Sequence, residues 1–280
     1  MNPEAHPPML DSECSREIQA YWDRDGLGRA ILAALGAAGM DLASLTVEDL
    51  APLDQFHGGG MAMTLRLAQL AGLKPEMRVL DVGGGLGGPA RTLAIRFGCH
   101  ITSVDLAQSY VQAARMLTGM LKLDGLVSHQ VADALQLPFN NGSFDVVWTQ
   151  NSGMNIADKP RMYSNFRRVL RPGGRLALQG PMAGPLQPLI YPVMWARDAS
   201  TSFLRTSEEM RKMIASAGFS MRLWGDTKAV KAPAGTSSPI TVQRIQSLVM
   251  GDQIAAIRSA GRRNNAEGRL IMVQAVFDRV

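Results

Sequence analysis

From Arg78 to Gln179, short apolar runs bounded by glycines or acids alternate with stretches whose apolar residues recur at helical spacing. The runs beginning Arg78-Val79-Leu80, spanning Cys99 to Val104, ending just before Asp133, and covering Phe144 to Trp148 read as strands. A fifth follows the break Pro172-Gly173-Gly174 and continues to Gln179. Between the first two, Ala90 to Phe97 has helical spacing, opened by Pro89 at the first helical position and closed by Gly98. This alternation predicts a doubly wound α/β sheet with a ligand site at the carboxyl ends of its strands, near the switch point.

The flanks are organised differently. Ser15 to Asp23 reads as a helix ending in Tyr21-Trp22, an apolar helix runs near Arg29 to Ala38, and another covers about Met61 to Ala71. Gly180 to Ser207 is rich in Pro, Met and aromatic residues and is too long for an ordinary connection. After it come a helix from about Ser207 to Ala217, a strand near Met221 to Trp224 and a loop from Ala232 to Pro239. A helix from about Thr241 to Ala260 and a last strand from Leu270 to Phe277 complete the chain. Arg262, Arg263 and Asn264 are expected in an exposed turn before that strand.

The chemistry concentrates in Asp81-Val82-Gly83-Gly84-Gly85-Leu86-Gly87-Gly88. Glycines directly after a strand allow positive φ and close approach to a ligand, and the following helix aims its N-terminus at what they hold. Dinucleotide sites share this pattern, so the acid within the turn matters more. A carboxylate at Asp81 would repel a pyrophosphate and attract an ammonium. That favours a ligand with an amino-acid end and no phosphates, which describes S-adenosylmethionine. Asp105 ends the second strand about 20 residues past the last glycine, the usual distance for an acid that meets ribose hydroxyls. A strand-end turn would also explain it. Upstream, Gly58-Gly59-Gly60 precedes a helix and would offer free N–H groups to the ligand's carboxylate.

In order, Asp81 to Gly87, Asp105, Asp133-Ala134 ahead of Leu137-Pro138-Phe139, and Arg168-Val169-Leu170-Arg171-Pro172-Gly173-Gly174 make the chain resemble the class I S-adenosylmethionine-dependent methyltransferases. The resemblance covers residues 76 to 180 and points to the small-molecule branch, with its ubiquinone/menaquinone C-methylases and sarcosine/dimethylglycine N-methylases. It implies a Rossmann-like seven-stranded sheet whose last strand is antiparallel. It also implies that Gly83, Gly84 and Gly85 pack on the methionine part of the cofactor, with Asp81 near its amino group. Asp105 would take the ribose, Leu106 the adenine face, Asp133 and Ala134 the adenine edge, and Asn151 would face the cofactor near the methyl. By analogy Gln55, His57 and Gly59 line the site and the Tyr21-Trp22 helix is a lid, whereas a helix cap at His57 and core packing of Tyr21-Trp22 are the simpler explanations.

These readings divide the chain into an N-terminal helical lid (1–68), the cofactor-binding core (69–180), a cap over the substrate (181–206) and the rest of the sheet with an added helix (207–280). The chain departs from O-methyltransferases of sugars and phenolics, which carry a His pair after the fourth strand and an acid at the end of the fifth. Met154-Asn155 and Gln179 stand there instead. His57 and then Tyr191 are the base candidates, with His129 more plausibly structural. N-, C- or S-methylation of a partly apolar small molecule is expected over O-methylation, with S-adenosylhomocysteine as product. A nicotinamide-dependent oxidoreductase and a catalytically silent cofactor-binding partner are the competing readings.

Composition changes this little. The 280 residues carry a net charge of +5, but the arginines are dispersed, without the dense basic runs of nucleic-acid modules. An anionic small substrate stays compatible with that charge. Cys14 and Cys99 make neither a disulfide framework nor a metal motif. No signal-like leader and no membrane-length apolar run is visible, so a cytoplasmic protein is expected, with a homodimer compatible.

Overall fold

The computed structural model describes residues 13–55, 57–227 and 253–280. Four helices come first: α1 (Glu13–Trp22), α2 (Leu27–Ala37), α3 (Val47–Asp54) and α4 (Gly60–Ala71). The alternating core follows as β1 (Arg78–Val82), α5 (Gly88–Phe97), β2 (His100–Asp105), α6 (Gln108–Met120), β3 (Val127–Val131), β4 (Phe144–Gln150), α7 (Lys159–Val169) and β5 (Leu170–Ala183). The remainder is α8 (Ser207–Ser216), β6 (Phe219–Asp226), α9 (Ile254–Ala266) and β7 (Leu270–Arg279).

The seven strands form one sheet in the order β3-β2-β1-β4-β5-β7-β6. β1 to β5 pair in parallel, and β7 lies antiparallel between β5 and β6. This bears out the doubly wound sheet with an antiparallel last strand. Side chains alternate between faces along each strand, so neighbouring residues enter different cores. Leu80, Val82, Leu176 and Leu178 pack with Phe166 and Phe277 on one face, while Val79, Ala177 and Trp148 pack with Leu67 and Leu93 on the other. A third cluster joins Ile31, Leu35, Leu50 and Leu53 to Tyr110 and Leu117, seating the N-terminal helices on α6.

Several local expectations are adjusted. α5 begins at Gly88, one residue before Pro89, because Gly87 takes the left-handed cap at φ 80°. α3, which the apolar spacing does not announce, is set by a capping box in which Thr46 and Asp49 satisfy each other's backbone N–H groups. β5 runs past Gln179 to Ala183, so Pro181, Met182 and Ala183 pair with Met272, Ile271 and Leu270 instead of opening the insertion. Leu189, Val193, Trp195 and Ala196 then pack on Met154 and Leu270. Arg262, Arg263 and Asn264 lie in α9, not in a turn. Asn264 is buried, and its amide bonds both the N–H (2.9 Å) and the C=O (2.8 Å) of Ile190, clipping the insertion to α9. The expected Ala232–Pro239 loop and the part of the Thr241–Ala260 helix up to residue 252 lie outside the described residues. Among the described residues no helix is long and apolar enough to cross a membrane.

Candidate cofactor and methyl-transfer site

The sheet order reverses between β1 and β4, and a cavity of about 390 Å³ opens at the carboxyl ends of these strands. Open α/β sheets bind ligands at that place. Gly83, Gly84, Gly85, Asp105, Leu106, Asp133, Ala134, Asn151 and His57 all line it. Gln55, Gly59, Asp81 and Tyr191 do not, and neither does any residue of the 181–206 insertion. Trp22 lines it from α1, while the Tyr21 hydroxyl donates to the Met194 carbonyl at 3.3 Å.

Two glycines of the loop have no substitute. Gly83 has φ 76°, and a Cβ there would lie 2.2 Å from the Ser152 Cβ. At Gly84 a Cβ would lie 2.0 Å from Ser103 Oγ and 2.6 Å from Asp81 Oδ2. The Asp81 carboxylate therefore sits beneath the glycine backbone, where Ser103 Oγ donates to it at 3.3 Å. Burial, with the Asp105 charge adding to it and the Ser103 hydroxyl opposing, pushes its pKa up to about 7. A raised carboxyl favours the folded state below its unfolded pKa of about 3.9, and that advantage is lost as pH rises through about 7. Asp81→Asn, which imitates the protonated form, is expected to melt above the wild type at pH 8 and level with it at pH 4. Melting curves that differ by the same amount at both pH values would contradict this.

Asp105 is held by the backbone on both oxygens. Oδ2 accepts from the Gly85 N–H at 2.9 Å and Oδ1 from the Ala107 N–H at 3.0 Å. Its pKa is raised by burial against the opposing pull of these N–H groups. Each oxygen keeps a second lone pair, which is what a diol needs. Asp133 is oriented by the Leu135 N–H at 2.8 Å. Asn151 adopts φ 52°, a conformation asparagine tolerates, and donates its N–H to the Gln179 carbonyl at 2.9 Å.

His57 is fixed on both ring nitrogens. Gln55 Nε2 donates to Thr92 Oγ1 at 2.9 Å, so Gln55 Oε1 is an acceptor, and the His57 Nε2 that lies 3.1 Å from it carries the proton in this network. Nδ1 accepts from Gln179 Nε2 at 3.3 Å. Burial, opposed by a backbone contact at Gly58, lowers its pKa to about 4. Gln179 is itself tied to Gln274 at 2.7 Å and Gln150 at 3.3 Å, and Gln150 also accepts from Trp148 Nε1 at 3.0 Å. The ring is thus a neutral member of a buried amide network. His129 is tied to Thr118 Oγ1 at 2.8 Å and lies off the cavity wall, as a structural residue would.

Sequence reasoning passed over a buried ion pair at the glycine loop. Arg91, 0% exposed, donates to Asp54 Oδ2 and to the Leu86 carbonyl, both at 2.7 Å, and to Ala114 O at 3.3 Å and Thr118 Oγ1 at 3.1 Å. It joins α3, the loop and α6 at one point. Burial raises Asp54 to about pH 6 against the pull of Arg91 and of its own backbone N–H. An acid three residues before His57 and a basic residue in the first turn after the loop were the available hint.

The wall fits a ligand such as S-adenosylmethionine. Besides Asp105, its lining residues Asp54 and Asn151 each carry a buried side-chain oxygen without a hydrogen-bond partner among the described residues. Buried polar groups are rarely left unpaired without a reason.

Residues 80–178 match the model of a methyltransferase domain. The glycine/sarcosine/dimethylglycine N-methyltransferase of Actinopolyspora halophila is 37% identical over 42% of this chain and 21% of its own. The chloroplastic tocopherol O-methyltransferase of Arabidopsis thaliana is 40% identical over 38% of this chain and 30% of its own. The chain thus spans well under two thirds of these relatives' length. The geranyl diphosphate C-methyltransferase of Streptomyces coelicolor, solved with S-adenosyl-L-homocysteine, superposes with a TM-score of 0.69 over 98% of this chain and 100% of its own at 19% identity, which shows a shared fold. Over residues 80–178 the chain is thus similar to methyltransferase domains, in line with the motifs from Asp81 to Gly174.

Proposed function

We propose that the chain transfers a methyl group from S-adenosylmethionine to a small, partly apolar acceptor. The observation that carries this reading is the convergence of Gly83 to Gly85, Asp105, Leu106, Asp133 and Asn151 on one switch-point cavity. When bound, the cofactor supplies a sulfonium methyl that is already activated. What the chain adds is position and dryness, which together account for several kcal/mol of a barrier. Asp105 takes the ribose hydroxyls, Leu106 the adenine face and Asp133 with Ala134 the adenine edge. Leu53, Leu86, Leu135 and Ile156 give the cavity the apolar surface that fits such an acceptor and keeps water out.

His57 does not serve as a base in this reading, because both ring nitrogens are engaged and its proton affinity is low. Tyr191 lies off the wall and takes no part. Gln55 and Gly59 hold His57 and start α4 without touching the cofactor. An acceptor nucleophilic without proton removal, such as a tertiary amine, thioether or electron-rich alkene, suits this site best. Ile18, Gln19 and Trp22 of α1 line one side of the cavity, which supports reading the 1–68 segment as a lid, and the 181–206 insertion packs on Met154 outside the wall.

The test is S-adenosylhomocysteine formation across amine, thioether, prenyl and quinone-like acceptors. With the productive acceptor, any inflection of kcat/KM between pH 6 and 8 is expected to persist in His57→Gln, since Asp54 and Asp81 titrate in that window and His57 does not. His57→Ala should keep cofactor affinity and slow turnover by about tenfold, through lost alignment at Gly58 and Gln179. Normal turnover by that variant would remove His57 from the account.

A further inference from the structure

A second cavity, of about 30 Å³, backs onto the 153–155 turn: Gly153 and Met154 line it, while Asn155 lines the first. The two cavities share no lining residue. Met162, Leu178 and Met210 give the second an apolar wall, and against that wall stand two cations, Lys159 at the start of α7 and Arg205 near the end of the insertion. No acid lines it. Lys159 is 3% exposed, and its ammonium donates to the carbonyls of Gly153 at 2.6 Å and Ile156 at 3.0 Å, which leaves its third N–H unspent. Arg205 gives one N–H to the Leu204 carbonyl at 3.2 Å. Among the described residues neither cation has an acid within ion-pair distance. Glu209, which the Arg205 charge acts on, is exposed and turned to the Thr206 N–H and hydroxyl. The third polar group on the wall is Tyr163, 2% exposed, whose ring packs on Phe166. Its hydroxyl has no hydrogen-bond partner among the described residues, and unlike the Tyr110 hydroxyl it keeps open surface.

Two like charges at one small dry cavity raise each other's cost, and burial together with the Arg205 charge pushes the Lys159 pKa down to about 8. An anion between them would relieve both charges and take up the unspent N–H and O–H donors. The volume has room for one ion a little larger than water, and none for a cofactor or an acceptor. We propose that this cavity is a binding site for a small monovalent anion, held by the Lys159 ammonium, the Arg205 guanidinium and the Tyr163 hydroxyl. Because Lys159 also holds the carbonyls of Gly153 and Ile156, the bound anion would steady the turn that carries Asn155 and Ile156 on the wall of the first cavity. The site stands whether or not the first cavity takes S-adenosylmethionine.

Thermal melting in sodium chloride and in sodium gluconate at equal ionic strength tests this, since both anions are monovalent and only chloride fits the cavity. Replacing gluconate by chloride is expected to raise the wild-type Tm saturably, by about 3 °C. The rise should vanish in Lys159→Met and in Arg205→Gln; the second change, at a partly buried residue, covers the case in which the first does not fold. Tyr163→Phe, which keeps the ring, should increase severalfold the chloride concentration that gives half of the rise. Crystals soaked in sodium bromide should show the anomalous scattering of bromide between Lys159 and Arg205. A wild-type Tm indifferent to chloride, a rise that persists unchanged in Arg205→Gln, or a cavity without bromide would each overturn the proposal.

Discussion

Asp105→Ala is expected to weaken S-adenosylhomocysteine binding by roughly a hundredfold while leaving the protein folded. The carboxylate would make two charge-assisted hydrogen bonds to the ribose, each worth about 1.5 kcal/mol or more, and every ~1.4 kcal/mol is tenfold in affinity. The substitution also frees the Gly85 and Ala107 N–H groups that the carboxylate now holds, so the loop loses its anchor at β2. Asp105→Asn separates the two effects. It keeps an acceptor for one N–H but lowers acceptor strength towards the ribose, and an intermediate loss is expected. Melting curves of the ligand-free variants check that the fold is intact. Wild-type affinity in Asp105→Ala would remove the ribose assignment and return Asp105 to a turn residue.

The largest loss of stability is expected from Arg91→Ala. Removing one partner of a buried ion pair costs about 3–5 kcal/mol, because the other charge is left in a dry environment. Here Asp54 would lose the cation that binds it, and the carbonyls of Leu86 and Ala114 would lose a donor. For a chain of this size, that corresponds to a fall of roughly 10 °C in Tm. Combining Arg91→Ala with Asp54→Asn should cost less than the sum of the single changes, since the second removes the charge that the first strands. Additive losses would show that the two residues do not act as a pair. The same pair links α3 to the loop, so Arg91→Ala is also expected to weaken cofactor binding.

How much of this was legible follows from what kind of interaction wrote it. The strands around Leu80, Val104, Val147 and Leu178 alternate between two cores, and that periodicity is local, so apolar spacing exposed it. Gly83 and Gly84 are required by backbone conformation and close approach, which leave glycine as a visible trace. The depth of Asp81 was not legible, because whether a turn acid faces the ligand or lies beneath the turn depends on Ser103 of the neighbouring strand. Nor was the state of His57, whose ring is fixed by Gln55, Thr64 and Gln179, drawn from three separate segments. Asp54 and Arg91 stand 37 residues apart and read as ordinary surface charges until α3 is packed on α5. The insertion looked like a cap because of its composition, yet its apolar residues bury against Met154, Leu270 and the Asn264 clip. Composition records that a segment is buried, and tertiary contacts decide against what.

The chain's central feature is a cavity lined by Asp105, with a glycine loop over a second acid, and its ligand can be asked for directly. Calorimetric titration with S-adenosylmethionine, S-adenosylhomocysteine and NADH in parallel makes the comparison. Micromolar binding of both sulfur ligands with none of NADH is the predicted result. Binding of NADH alone would contradict the account and turn the Asp81 to Gly88 loop into a dinucleotide site.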